Sequence, residues 1–106
     1  MQFRGGMNEL MRQASRMQRK IEQTKKEVAD KEVTATALGD KVKATVTYAG
    51  KVSRVEVSQE TLAAEGLEMV LDGICAAVNG AIAEADKAME AEVEKATGGV
   101  KMPGMF

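Results

Sequence analysis

The sequence contains no histidine, no tryptophan and only one cysteine. Without histidine, the usual zinc sites and the Ser/His or Cys/His nucleophilic arrangements are not available to this chain. The phosphate-binding patterns GxxxxGK[ST] and GxGxxG do not occur either. Neighbouring carboxylates such as Glu90 and Glu94 lie on an acidic surface that is typical of a solvated helix. We therefore expect no enzyme, metal site, cofactor or small-molecule substrate.

The single cysteine and the absence of long apolar runs bear on the compartment. Cys75 lies in an apolar run and cannot form an intrachain disulfide, so we interpret it as a small core residue in a reducing compartment. No window approaches 18 uninterrupted apolar residues, and residues 1–11 lack the apolar segment of a signal peptide. These absences predict a soluble cytoplasmic protein with no membrane partner.

The dominant positive feature is the stretch 7–31, which has no Gly or Pro and is rich in strong helix formers. Mostly apolar residues recur there at alternating steps of three and four, as in a heptad seam. The seam consists of Met7, Leu10, Ala14, Met17, Ile21, Thr24 and Val28. The opposite side carries Arg12, Arg16, Arg19 and Lys26. The pattern predicts a long helix with an apolar seam on one side and positive charge on the other.

The period changes to that of strands between residues 32 and 58. Val42, Ala44, Val46 and Tyr48 alternate with polar residues, and Gly39 and Gly50 lie in the flanking turn segments. We predict a three-stranded antiparallel meander over about residues 32–38, 41–48 and 51–58. Val52 breaks the alternation of the third strand, and a β-bulge near the preceding turn would explain it.

The remaining chain predicts a turn followed by a second long helix. Residues 58–62 form the turn, with Leu62 packing back onto the core, and the helix runs from about residue 66 or 67 to 96. Gly73 and Gly80 lie on one face of this helix, where each costs roughly 1 kcal/mol relative to alanine, so close backbone packing is expected. Asn79 either bonds to a neighbouring loop or points to solvent. Gly98-Gly99 ends the helix.

The predicted fold is α+β, a single domain over residues 1–106 with flexible segments at 1–6 and 98–106. A strand of eight residues spans about 26 Å, whereas the two helices span roughly 37 Å and 45 Å. Both helices overhang so small a sheet, and an overhanging apolar seam needs another chain or the other helix to cover it. We infer a homodimer with helical arms extending from a sheet-containing body.

Charge is distributed unevenly along the chain. Residues 1–31 hold eight Lys/Arg and four acids, a net of +4, whereas residues 61–106 hold three lysines and eight acids, a net of −5. The middle segment balances to zero. This asymmetry indicates an anionic partner for the first helix, although an ordinary solvated helix surface would show the same pattern.

Several segments together resemble the YbaB/EbfC family of bacterial nucleoid-associated proteins. They are MNELMRQASRMQRKIEQ near the start, EVT at 32–34, KVKATVTYAGKVSRVEVSQETL, EMVL at 68–71, AAVNGA at 76–81, and GG at 98–99 with MPGMF at 102–106. The chain departs from the family in two places. It has only Gly39 where the family often has a Gly-rich segment, and Gly80 where an acidic residue often follows the helix Asn.

The resemblance implies a tweezer-shaped homodimer in the bacterial cytoplasm and nucleoid that binds double-stranded DNA, alters its conformation and contributes to nucleoid organisation and gene regulation. Phosphate neutralisation should then supply most of the affinity. The candidate DNA-binding residues are Arg12, Arg16, Arg19, Lys20 and Lys26, with Arg4 and Lys25 at the margin. No helix-turn-helix or zinc finger is recognisable, so we expect low sequence specificity.

Two questions stay open at this point. A coiled-coil scaffold or adaptor that grips another protein explains the seam equally well and does not need the cations. If DNA is the ligand, the duplex contacts either the outer cationic face or the inner gap between two arms.

Overall fold

The computed structural model describes the backbone of residues 3–99 and the side chains of residues 6–99. The elements are helix α1 (Phe3–Val28), strands β1 (Glu32–Ala37), β2 (Val42–Thr47) and β3 (Val52–Val57), and helices α2 (Gln59–Glu65) and α3 (Leu67–Ala96). The molecule is elongated, with extents of 75 × 20 × 16 Å. The predicted α+β class with two long helices around a sheet is confirmed.

The sheet is the predicted meander. Its order is β1-β2-β3, and both neighbouring pairs are antiparallel. The alternate residues Val42, Ala44 and Val46 of the central strand are fully buried and form the core with alanines on α3. Those alanines are Ala77, Ala81 and Ala85. Because alanine is small, α3 can lie close to the sheet along this line.

Gly73 allows the closest approach of α3 to the rest of the molecule. A Cβ atom at this position would lie 2.9 Å from Cδ1 of Leu38, in the turn between β1 and β2. At Gly80 the nearest atom would be Cβ of Ala35, at an ordinary 3.5 Å. The close packing predicted for both glycines is therefore tight at Gly73 and loose at Gly80. Leu38 itself has a φ of 52°, an uncommon conformation for a leucine.

The irregularity predicted near Val52 is confirmed as a shift in strand register. Thr45 pairs with Arg54, whereas the next residue, Val46, pairs with Val52. Ser53 is therefore the extra residue of a β-bulge, and it accounts for the broken alternation at the start of β3.

The helix ends differ from the prediction at the N-terminus and agree with it at the C-terminus. Helix α1 begins at Phe3 and includes Gly5 and Gly6, four residues before the predicted start at Met7. Extending a helix adds one hydrogen bond per residue without a new nucleation cost, and this offsets the poor propensity of glycine. Helix α3 ends as predicted, because the amides of Gly98 and Gly99 donate to the carbonyls of Lys95 and Glu94. Residues 1–2 and 100–106, the remainder of the predicted flexible segments, lie outside the described residues.

The turn predicted after β3 is a two-turn helix, α2. Oγ of Ser58 accepts a hydrogen bond from the Thr61 amide at 3.0 Å and so caps the helix. Thr61 is buried, whereas Leu62 is 39% exposed, so the prediction that Leu62 packs onto the core was wrong. Consecutive residues of a helix point about 100° apart, so Thr61 and Leu62 do not face the same side.

The positions of Cys75 and Asn79 around α3 test two further predictions. Cys75 is exposed rather than buried, because it lies two residues from both Gly73 and Ala77 and therefore about 200° around the helix from these buried positions. Asn79 is likewise exposed, which agrees with the solvent alternative.

Helix α1 packs on α3 rather than on the sheet. Its residues Ile21 and Val28 are buried, and Lys25 lies beside Asp86, Met89 and Val93 of α3. A hydrogen bond joins the chain after α1 to the β2–β3 turn. The amide of Tyr48, in this turn, donates to the carbonyl of Lys31 at 2.7 Å. The C-terminal half of α1 is thus anchored to the body.

None of the described helices is by itself long and apolar enough to cross a membrane. Only α2 and α3 taken together, with a bend of 118° between them, have the length and composition of a broken span.

Candidate nucleic-acid interface

The N-terminal part of α1 projects beyond the end of α3 as an arm. Ala96, Thr97 and Gly98 lie beside Gln13 and Met17, so α3 ends about halfway along α1. The two helices run antiparallel, because Lys25 faces a more N-terminal part of α3 than Met17 does. The 11 residues from Phe3 to Gln13 extend about 16 Å beyond this point. We call residues 3–13 the arm tip.

The predicted DNA-binding residues are brought together on one side of α1. At 100° per residue, Arg12, Arg16, Arg19 and Lys26 fall within a sector of about 80°, opposite the seam. Lys20 lies at the edge of this sector, beside the end of α3. We call this set of five residues the cationic face. All five side chains are exposed, and the face continues from the arm tip onto the anchored half of the helix.

The cationic face contains one carboxylate that sequence reasoning missed. Glu9 lies 3.9 Å from Nη1 of Arg12 and 3.5 Å from Nη2 of Arg16. Within residues 6–99, no carboxylate oxygen lies within 4 Å of a side-chain nitrogen of Arg19, Lys20 or Lys26. The spacings of three and seven residues place Glu9 on this side of the helix, and they were readable from the sequence.

The two marginal candidates do not extend the described cationic face. Lys25 is half-buried in the angle between α1 and α3, next to Asp86 and Glu90, and therefore lies against acidic residues. The side chain of Arg4 lies outside the described part of the chain. Of the seven candidates, the described cationic face therefore contains the five named above and not Lys25.

The model of the YbaB/EbfC DNA-binding family matches residues 3–100. The chain belongs to this family. The chain is also similar to a nucleoid-associated protein of Clostridium acetobutylicum, 36% identical over 101 residues that cover 95% of this chain and 90% of the relative. Another, from Acetivibrio thermocellus, is 37% identical over 98% of this chain and 93% of its own length. A third, from Agathobacter rectalis, is 41% identical over 91% of this chain and 85% of its own length.

The shape of the cationic face in this family member suits an extended polyanion. Arg12 and Lys26 are 14 residues apart, which corresponds to about 21 Å along the helix. A DNA strand rises 3.4 Å per nucleotide, so this length matches roughly six phosphates of one strand. No aromatic side chain lies among the cations, so the face offers no platform for stacking unpaired bases. Within residues 3–99, no three Cys, Asp or Glu side chains form a group that could hold a metal ion.

Proposed function

We propose that this protein is a nucleoid-associated protein of the bacterial cytoplasm that binds double-stranded DNA through the cationic face. The observation that carries the proposal is the concentration of five exposed Arg and Lys side chains on one side of α1 in a chain whose net charge is −1. The curated relatives are named nucleoid-associated proteins, which supports the same function. Binding contributes to nucleoid organisation and gene regulation.

Affinity comes from contacts between the five cations and the phosphate backbone. Such contacts release counterions and carry no sequence information, so specificity is low and depends on DNA shape. A helix with side chains is about 10–12 Å wide, which also fits the major groove of about 12 Å. A scaffold that grips a partner helix through the seam would not require cations on the opposite side, and for that reason we favour DNA.

The acidic residue of the cationic face gives a direct test of this assignment. Glu9 holds two of the proposed phosphate ligands, Arg12 and Arg16, and a phosphate must displace it. Glu9→Gln should therefore raise duplex affinity, by roughly three- to tenfold at low salt, since each displaced exposed pair is worth up to about 1 kcal/mol. The measurement is a fluorescence-anisotropy titration of a labelled duplex.

Glu22→Gln is the matched control for this test. It makes the same change in charge on the same helix, but Glu22 lies outside the cationic face and has no ion pair among residues 6–99. Its effect should be smaller than that of Glu9→Gln. Equal gains from the two variants would show that only net charge matters, and the assignment of Arg12 and Arg16 as ligands would fail.

A second part of the proposal is that two copies of the chain form a homodimer through an apolar surface beside β3. Helix α3 lies over β1 and β2, so Val52 and Val55 of β3 remain 43% and 38% exposed on the same side of the sheet. On α3, Gly80 lies against Ala35 of β1 and Gly73 against Leu38 of the β1–β2 turn. Helical spacing puts Leu71 and Val78 on the other flank of α3, and we infer that this flank is directed towards β3. We call these four apolar residues the β3-side surface.

A second copy is the occupant that the shape of the chain favours. The domain is small, and β3 is an edge strand whose outer backbone groups are unpaired within the sheet. Pairing two copies at this surface covers exposed apolar area and places two arms on one particle. Two cationic faces then bind one duplex with higher effective affinity than either alone, and their spacing can impose a bend on the DNA.

We expect Val55→Glu combined with Leu71→Glu to convert the dimer into monomers, because the two carboxylates would lie in an apolar interface without partners. Sedimentation velocity at micromolar concentration measures the change. Met69→Glu is the matched control, since Met69 is 47% exposed on the other side of α3 and should leave the dimer intact. A monomeric wild-type chain, or a dimer that tolerates the double substitution, would contradict this interface.

A further inference from the structure

Helix α1 is joined to the sheet by a short segment that is bonded to the β2–β3 turn. Residues 29–31, which we call the α1–β1 junction, connect the end of α1 to the start of β1. The carbonyl of Lys31 accepts a hydrogen bond from the amide of Tyr48 at 2.7 Å. The carbonyl of Ala29 accepts one from the amide of Ala49 at 3.4 Å. These bonds fix the end of α1, but a helix that is fixed at one end can still change its angle.

Two kinds of contact hold α1 against α3. Ile21 and Val28 of α1 are buried, but apolar contact is non-directional, so it leaves the angle between the helices weakly defined. The other contact is ionic, since Oε2 of Glu92 on α3 lies 3.6 Å from Nζ of Lys31. Among the ion pairs within residues 6–99, this is the one that joins the α1–β1 junction to α3.

The carboxylate of Glu92 is more sheltered from water than the cations around it. Its side chain is 21% exposed, whereas those of Lys31 and Lys95 are 57% and 74% exposed. Nζ of Lys95, one turn further along α3, lies 3.8 Å from the same carboxylate oxygen. Because water has limited access to this carboxylate, its attraction to the two cations is screened less than that between fully exposed groups. Glu92 therefore connects the end of α1 to a defined turn of α3.

A small change of angle at the base of α1 becomes a large displacement at the arm tip. The helix has 26 residues and is therefore about 39 Å long. A tilt of about 10° moves its N-terminal end by roughly 7 Å. That displacement corresponds to about two nucleotides along a DNA strand. The angle of α1 thus decides how the cationic face is aligned with the phosphates.

We propose that Glu92 is a positioning residue for DNA binding, which sets the angle of α1 on α3 by holding Lys31. Glu92 does not contact DNA, because it lies on α3, and α3 packs against the side of α1 opposite the cationic face. Its effect on the angle is independent of DNA, whereas the consequence for DNA rests on the proposed function. A dimer whose arms keep a fixed angle imposes one bend on the duplex, and loosely held arms impose a range of bends.

Residual dipolar couplings of the backbone amides test the angle in the full chain without DNA. In the wild type, the couplings of α1 and α3 should fit one alignment tensor. In Glu92→Gln, the tensor fitted to α1 alone should be smaller in magnitude, or rotated from that of α3 by about 10° or more, the tilt that displaces the arm tip appreciably. Lys31→Gln should give the same change, because it removes the same ion pair from the other side.

Glu84→Gln is the matched control, because it removes the same charge from α3 at an exposed residue with no ion pair among residues 6–99. It should leave the couplings unchanged. Reversing all three charges, with Lys31→Glu, Glu92→Lys and Lys95→Glu, should restore the wild-type couplings, which a general loss of packing would not do. Wild-type couplings in Glu92→Gln, equal changes in Glu84→Gln, or no restoration by the reversed set would each overturn the proposal.

Energy transfer between dyes at the two ends of a short duplex measures the consequence for DNA separately. At saturating protein, Glu92→Gln should lose about half or more of the change in transfer that the wild type produces. Its affinity should stay within about threefold of the wild type, because all five cations are retained. If the angle changed but the transfer did not, Glu92 would not position the arm for DNA. If the wild type bound no duplex, the proposed function would fail, while the couplings would still decide whether Glu92 sets the angle.

Discussion

Replacing Arg12, Arg16 and Arg19 together with glutamine is expected to weaken duplex binding by roughly two orders of magnitude at 0.15 M salt. The estimate follows from counterion release, which is worth about 1 kcal/mol for each phosphate contact at this salt concentration. Three lost contacts on one arm cost about 3 kcal/mol, or roughly a hundredfold in affinity. The slope of log K against log salt should fall in magnitude by about 2.7 per engaged arm. Anisotropy titrations at several salt concentrations give both quantities.

The matched control removes three positive charges elsewhere. Lys43, Lys51 and Arg54 lie on the sheet and its second turn, and their replacement with glutamine produces the same net charge. This control should lose much less affinity. The Arg12/Arg16/Arg19 variant should also keep its thermal midpoint, because all three side chains are exposed and the ion pairs of Arg12 and Arg16 are surface pairs. Equal losses in both triple variants would show that DNA senses only the total charge.

The second large effect is expected at the contact that anchors the arm. Ile21 is 2% exposed between α1 and α3, and Ile21→Ala leaves a cavity there that should cost about 2–5 kcal/mol in unfolding free energy. Because α1 packs on α3 rather than on the sheet, the damage should be concentrated in α1. Amide exchange of α1 should therefore accelerate more than that of β2, whose alternate side chains form the fully buried core.

Gln18→Ala is the control for the anchoring contact, since Gln18 is exposed on the same helix and its replacement should be nearly neutral. Urea titrations provide the unfolding free energies, and hydrogen exchange locates the change. Duplex affinity should fall in Ile21→Ala as well, because the cationic face is no longer held in one position. If exchange in Ile21→Ala accelerated equally in α1 and β2, the arm would not be an independently anchored unit.

Features that follow from the spacing of nearby residues could be predicted from the sequence. The alternation in β2 predicted which side of the sheet is buried, and the bulge near Val52 followed from the break in that alternation. The cationic face was predicted because helical spacing alone decides which charges share a side. Helical spacing also places Glu9 on this side of α1. Its contacts with Arg12 and Arg16 become evident only when the residues three and seven positions after Glu9 are both considered.

Features that depend on where other helices and strands end could not be predicted from the sequence. Met7 and Ile21 occupy equivalent seam positions, yet one is exposed and the other buried, because α3 stops near Met17. Cys75 lies in an apolar run, but the register of α3 on the sheet turns it outwards. Leu62 was assigned to the core because the helical turn capped by Ser58 was not recognised. The outcomes at Met7, Ile21 and Cys75 are set by tertiary packing rather than by local propensity, whereas the Ser58 cap is a local signal that the sequence contained.

The most direct measurement of the central claim is duplex binding by the wild-type chain over a salt series, repeated with several unrelated sequences. If five cations of one arm neutralise phosphates, log K should fall with log salt with a slope of about −4.5, and more steeply if both arms of a dimer engage. Affinities for the different sequences should lie within a few-fold of one another. A slope near zero, or a single sequence bound orders of magnitude more tightly than the rest, would contradict binding through the cationic face.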